Sequence, residues 1–246
     1  MSDLKKAIQR EYLKSAQDPV HFMRKYCTIQ HPTKGKVKFD LYPFQEKCLT
    51  TFKDNRYNII LKARQLGIST LSAGYSLWMM LFHNDKNILV IATGKETAKN
   101  LVTKVRVMYE NLPQWLKTST EEVNKLSLRF TNGSQIKAIA SNESAGRSEA
   151  LSLLIIDEAA FIDRIDTIWT AAQQTLSTGG GCIALSTPNG VGNWFHKQWL
   201  GAEERTNQFN TIRLHWTDHP DRDQVWRDEQ DKILGPSQAA QECDTD

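Results

Sequence analysis

NIILKARQLGISTLSAGYSLWMML, Asn58 to Leu81, runs from a short apolar stretch through a tight polar turn into a long helical pattern. That is the layout of a phosphate-binding loop, in which backbone N–H groups and a helix N-terminus form a cradle for anionic oxygens. The usual pattern is G-x-x-x-x-G-K-[ST], with the lysine reaching the β and γ phosphates and the hydroxyl holding Mg2+. Aligned on Gly67 and Ser69, this chain has Lys62 where the first glycine belongs and Ile68 where the lysine belongs. Gly67 and the loop length preserve the backbone cradle, and Ser69 preserves the hydroxyl. Lys62 and Arg64 bring the cation from the start of the loop instead of its end, and the planar fork of arginine suits two phosphate oxygens. A surface turn carrying two incidental cations would read the same way, so a second motif has to decide.

LSLLIIDEAAF, Leu151 to Phe161, supplies it: an uninterrupted apolar strand that ends in two carboxylates. Ligands of open α/β sheets sit outside the carboxyl ends of the strands. Asp157 is placed to hold Mg2+, and Glu158 to orient and deprotonate an attacking water. The pair of motifs predicts nucleotide hydrolysis. Three further stretches fit the same site. Phe44 and Gln45, just ahead of the first core strand, can stack on and hydrogen-bond an adenine, or else start a helix with Phe44 in the core. Arg147, in the small-residue loop SAGRSEA, can act as an arginine finger, against the ordinary fate of a solvated loop arginine. Ser186-Thr187-Pro188 closes another strand, where hydroxyls can sense a γ-phosphate or simply make a turn.

Working outward, the rhythm is strand–helix from Phe39 onward. Ile59–Lys62, Asn87–Ala92, Leu153–Ile156 and Cys182–Ser186 read as buried strands, with helices over Ser69–Phe82, Lys95–Glu110 and about Thr167–Leu176 between them. Continuous apolar strands separated by helices predict a mostly parallel sheet with helices on both faces. Asn132-Gly133, between the alternating runs Leu126–Phe130 and Gln135–Ala140, predicts a hairpin. Helical patterns run to about Ala16 and restart at Asp18-Pro19, HPTKGK reads as a loop or ribbon turn, and the chain is polar and helical from Asp221 onward. These two ends lack the strand–helix rhythm and are expected to form a small subdomain around a core of residues 39–211.

Bulk properties narrow the class. The chain has 246 residues, a net charge of +3 and ordinary globular composition. That charge is too small to argue nucleic-acid binding. Lys34, Lys36 and Lys38, and Lys95, Lys99, Lys104 and Arg106, form local basic runs that read first as solvated faces. Cys27, Cys48, Cys182 and Cys243 have neither metal-ligand nor disulfide-framework spacing, which fits reduced thiols inside a cell. The amphipathic, charged N-terminus has no signal-peptide core, and no apolar run reaches membrane-spanning length.

In order along the chain, Phe44-Gln45, KARQLGIST, LLIIDEAAF and LSTPNG resemble the ATPase domain of the large terminase subunit of tailed bacteriophages, from about Leu41 to Gly192. The resemblance implies a P-loop ATPase core of RecA-like type that uses ATP and Mg2+ to translocate double-stranded DNA into a procapsid. It implies an adenine motif at Phe44 and Gln45, a Walker A loop over Lys62, Ala63, Arg64, Gln65, Leu66, Gly67, Ile68, Ser69 and Thr70, and Arg64 facing phosphate. Asp157 matches the Walker B metal residue with Ser69, Glu158 the catalytic glutamate, and Ser186, Thr187 and Pro188 the coupling motif. Arg147 matches an arginine that reaches into a neighbouring subunit. By the same resemblance residues 1–38 and 212–246 make a lid-like subdomain and the start of a linker, the partners are copies of itself in a pentameric ring, the portal protein and the small terminase subunit, and the setting is the host cytoplasm. The nuclease domain of that family is not expected in this chain. Competing expectations are a helicase-like DNA-dependent ATPase, a nucleotide-binding assembly module without turnover, and a scaffold that binds DNA through basic loops.

Overall fold

A computed structural model of the chain describes residues 3–141 and 150–245. The order is α1 (Asp3–Gln17), α2 (Pro19–Tyr26), β1 (Thr28–His31), β2 (Gly35–Lys38), α3 (Pro43–Asp54), β3 (Tyr57–Lys62), α4 (Ile68–Phe82), β4 (Asn87–Ala92) and α5 (Lys95–Glu110). Then come β5 (Thr120–Val123), β6 (Ser127–Phe130), β7 (Gln135–Ala140), β8 (Leu153–Asp157), α6 (Ile165–Leu176), β9 (Gly181–Ser186), α7 (Trp194–Glu203), β10 (Asn210–Leu214), α8 (Gln224–Leu234) and α9 (Pro236–Ala239). The strands β10-β3-β9-β8-β4-β7-β6-β5 form one sheet, parallel from β10 through β7 and antiparallel at β6 and β5.

The sheet is buried on both faces, which is why its parallel strands are continuously apolar instead of alternating. Within β3, Ile60 joins the core under α3, α4 and α5 with Leu71, Leu77 and Val105. Its neighbours Ile59 and Leu61 face the other way, toward Trp169, Ala172 and Phe195 of α6 and α7. The hairpin around Asn132-Gly133 forms as predicted, with Gly133 at φ +82° and a carboxylate of Asp85 where a Cβ would go. Strand β5, four exposed residues paired to β6, carries no apolar signal and was not predicted.

The chain ends pack on different parts of this frame. On α4, the Trp78 indole donates to the Ser15 carbonyl at 2.9 Å and anchors α1. Glu11 accepts from Lys25 at 2.7 Å and Tyr26 at 2.8 Å, joining α1 to α2. β1 and β2 make a separate two-stranded ribbon against α5. From Asp221 to Thr245 the chain returns across the loop that follows β3, with Arg222 and Glu242 bonded to that loop's backbone. No helix among the described residues is long and apolar enough to cross a membrane.

Candidate functional site

Register places the decisive residues at one edge. β9 lies between β3 and β8, with Leu61 opposite Ser186 and Asp157 opposite Leu185, so the loops after all three strands leave the same carboxyl side of the sheet. After β3 the chain turns through Gln65 at φ +58° and Gly67 at φ +75° into α4. Both are left-handed conformations, and at Gly67 a Cβ would stand 2.8 Å from the Gln45 amide nitrogen. The first helical bond of α4 runs from the Leu71 N–H to the Gly67 carbonyl at 2.9 Å. Helix geometry therefore leaves the amides of Ile68, Ser69 and Thr70 without intrahelical acceptors, at the positive end of a fifteen-residue helix.

Ile68 shows why the cation moved. Its side chain is 1% exposed and belongs to the core beneath α4, so this position cannot present a charge to the loop. Lys62 does so instead. It is buried at the end of β3, and its Nζ lies 3.1 Å from Glu158 Oε1. Beside this pair the Ser69 hydroxyl donates to Asp157 Oδ1 at 3.1 Å. Glu158 adopts φ 54°, ψ 48°, a left-handed conformation that for a non-glycine residue costs on the order of 1 kcal/mol and marks functional turns more often than ordinary ones. That kink ends β8, leaving Asp157 at the strand's last position and Glu158 on the turn that follows.

Burial pushes the Asp157 carboxyl above its ordinary range, and the charge of Glu158 adds to the rise; Lys62, the Ser69 hydroxyl and Lys104 oppose it. In the sequence Lys104 is only one member of a basic run. On α5 it lies half-buried within electrostatic reach of Asp157 and Lys62, and burial lowers its pKa. A cation within reach of Asp157 has no signature beyond its helical position, which is why the pattern missed it.

The remaining predicted residues divide. Gln45 is buried, donates from Nε2 to the Leu66 carbonyl at 3.0 Å, and accepts the Tyr42 N–H at 3.1 Å. It thus fixes the loop from below. Phe44 is half-buried, stacks on Tyr42 with ring centroids 5.7 Å apart, and lines a cleft of about 380 Å³ between α3 and β10. Arg64 is not brought into the Lys62–Glu158 cluster. Its guanidinium is 67% exposed and meets Glu242 at 3.3 Å. Ser186 accepts the Ala160 N–H at 3.1 Å, so the end of β9 is bonded to the turn that follows Glu158, while Thr187 is buried and the Pro188 carbonyl accepts from Gln241 at 2.8 Å. Arg147 lies outside the described residues.

Three residues near the C-terminal end contact this machinery without having been expected there. Arg222 donates to the carbonyls of Arg64 at 3.0 Å and Gln65 at 3.2 Å. Glu242 accepts the Arg64 N–H on its carbonyl at 2.7 Å. Gln241 reaches Pro188. Their partners are mostly backbone groups, which carry no residue identity, so spacing in the sequence could not have exposed them.

A cluster of lysine, serine, aspartate and glutamate at a loop of this shape is what phosphoryl transfer requires. A sequence profile of the family described as "Terminase large subunit, T4likevirus-type, N-terminal" matches residues 59–244. The chain belongs to this family. Among curated proteins it is 24% identical over 168 residues to the probable terminase large subunit gp28 of Escherichia phage Mu, covering 62% of this chain and 30% of that protein. The chain therefore spans under a third of the length of that terminase relative. Among solved structures, the large terminase ATPase domain of Thermus phage P74-26 matches with a TM-score of 0.61 at 22% identity, over 77% of this chain and 87% of that one. The large terminase of a thermophilic bacteriophage in complex with ADP matches with a TM-score of 0.65 at 14% identity, over 82% of this chain and 52% of that one. The terminase ATPase fold is thus shared, and the expected mostly parallel α/β sheet is the observed one.

Proposed function

We propose that the chain is the ATPase motor domain of a phage large terminase, coupling ATP hydrolysis to translocation of double-stranded DNA into a procapsid. The observation that carries this reading is the Lys62–Glu158 pair beside Ser69 and Asp157, at the mouth of a glycine loop and a helix N-terminus. Family membership and the ADP complex of the thermophilic phage's terminase support a nucleotide there.

The residues fit Mg2+ bound jointly with phosphate. Ser69 Oγ and Asp157 Oδ1 are hard oxygen donors already in hydrogen-bond contact, and two protein ligands suffice for a magnesium ion that keeps waters and takes phosphate oxygens. Such an ion would supply charge neutralisation to the phosphates. The other roles fall to the chain. Lys62 stands in for the Walker lysine: it is the buried cation paired to Glu158, whereas Arg64 is turned to Glu242. The amides of Ile68, Ser69 and Thr70 hold phosphate oxygens. In the structure Glu158 is paired to Lys62; phosphate competes for Lys62, which frees the Glu158 carboxylate to orient a water in line and take its proton. Phe44 offers an aromatic face and Gln45 its remaining amide hydrogen to the adenine. Arg147 would act on a neighbour's site in a ring, with the portal and the small terminase subunit as further partners. Residues 212–246, which cross the phosphate loop, would serve as the lid-like part, while residues 1–38, expected to join them, pack instead on α4 and α5.

Steady-state ATP hydrolysis by the chain and by Glu158→Gln tests this reading. The substitution should lower turnover by at least about 10²-fold, the usual worth of a general base, while nucleotide binding persists. Equal turnover in both proteins would remove Glu158 from the chemistry.

A further inference from the structure

The last turn of the described chain, Ala240–Asp244, is a π-helical turn that follows α9. Such i→i+5 turns are uncommon and often occur at functional sites. Here consecutive residues are each tied to a different part of the molecule. The Gln241 side chain donates from Nε2 to the Pro188 carbonyl at 2.8 Å. The Glu242 carbonyl accepts the Arg64 N–H at 2.7 Å. Cys243 is buried. Asp244 takes two bonds from Arg227, at 2.9 and 2.6 Å, and Thr245 Oγ1 accepts from Arg213 Nε at 2.9 Å. The turn therefore spans two neighbouring strand ends, the loop after β3 through residue 242 and the end of β9 through residue 241.

We propose that Gln241 is a positioning residue that links the Ser186–Pro188 strand end to the phosphate loop, so that this turn responds to the γ-phosphate at both points together. The inference rests on the ATP-site reading above. Its physical basis is a division of labour. Arg227, Arg213 and burial of Cys243 already hold the turn in place, and the Glu242 carbonyl already holds the loop. The Gln241 side chain is only half-buried, so water can replace its bond when the turn stands alone. What the bond adds is a connection to β9. Ser186 in turn accepts the amide of Ala160, two residues beyond Glu158. A shift of the carboxylate turn on phosphate binding is thereby passed through Ser186 and Pro188 to Gln241.

Hydrogen exchange on the intact chain, with ADP and with the slowly hydrolysed analogue ATPγS, tests this. In the wild type, amides of residues 240–245 should exchange at least about fivefold more slowly with ATPγS than with ADP, the scale of one net hydrogen bond. Gln241→Met keeps length and removes the donor; it should abolish that difference while both nucleotides still protect residues 62–70. Gln241→Lys restores a donor and should restore the difference. A full ATPγS–ADP difference in Gln241→Met overturns the proposal, as does a wild type whose phosphate loop is protected but whose residues 240–245 do not distinguish the two nucleotides. Loss in Gln241→Met and Gln241→Lys alike assigns the effect to packing and overturns the hydrogen-bond relay. Absence of protection at residues 62–70 in the wild type overturns the ATP-site reading itself, and the relay with it.

Discussion

Asp157 is 6% exposed and sits beside a second carboxylate, Glu158. Burial makes its charged form expensive, so its folded pKa lies above the unfolded value. The sign follows from linkage: a raised pKa means that protonation favours the folded state, so the ionised group weakens the nucleotide-free fold at neutral pH and ceases to do so as pH falls. Asp157→Asn keeps the shape and still accepts from Ser69. Thermal melts of the nucleotide-free chain should therefore show Asp157→Asn more stable than the wild type at pH 8, with the gap narrowing on acidification and closing below the ordinary carboxylate range. The same variant should lose the stabilisation that Mg·ATP gives the wild type. A melting point lower than the wild type's at pH 8 would mean that Asp157 is held by its cations more than it is penalised by burial. At this scale the sequence was most informative where chemistry demands an identity. That Glu158, Asp157, Ser69 and Gly67 meet at one sheet edge was legible because an apolar strand ending in Asp-Glu and a glycine turn entering a helix are written in residue identity. The choice between Lys62 and Arg64 was not, because two residues of one loop can point in opposite directions and only packing of Ile68 and the position of Glu242 separate them.

Arg222 belongs to the segment between β10 and α8, and its two bonds to the Arg64 and Gln65 carbonyls hold the loop from the outside, while Gln45 holds Leu66 from within. A loop fixed on both sides presents its amides ready for phosphate, so less conformational entropy is lost on binding. Arg222→Met retains the aliphatic stem but removes both donors, together with the guanidinium that lies 4.4 Å over the Trp226 ring. Each net bond is worth about 1 kcal/mol, so the ATP dissociation constant should rise roughly tenfold to thirtyfold, with little change in turnover at saturation. Titration with a fluorescent ATP analogue measures the first and saturating kinetics the second. An unchanged dissociation constant would show that the loop keeps its shape without the clamp. Elements of the core were readable because their burial is written in apolar runs and their turns in Asn132-Gly133 and Gly67. The C-terminal clamp was not. Its helices are amphipathic and polar like many surface helices, and nothing in a run such as Arg222–Glu242 says which distant carbonyls it will meet.

For the molecule as a whole, one chain brings to the candidate site two carboxylates, a buried lysine and a serine hydroxyl. Among the described residues, the two arginines that touch the loop are engaged elsewhere, Arg64 with Glu242 and Arg222 with the loop carbonyls. Phosphoryl transfer gains as much as about 10³-fold or more from an arginine over the transferred group. A site arranged this way should be slow alone and fast when a second copy supplies the missing charge. The resemblance to the terminase ATPase domain also pointed to Arg147 for that role, and sequence could go no further, because the neighbour that an arginine meets is fixed by assembly and not by the chain's own fold. Two defective chains separate the possibilities. Glu158→Gln has a dead site and an intact Arg147; Arg147→Ala has an intact site and no finger. Turnover per chain in the wild type should climb with protein concentration, and a mixture of the two variants should hydrolyse ATP faster than either variant alone, because Arg147 of the first completes the site of the second. A mixture no faster than the average of its components, at concentrations where the wild-type rate has reached its plateau, would exclude Arg147 from the neighbour's site and leave each chain to hydrolyse ATP with its own Lys62.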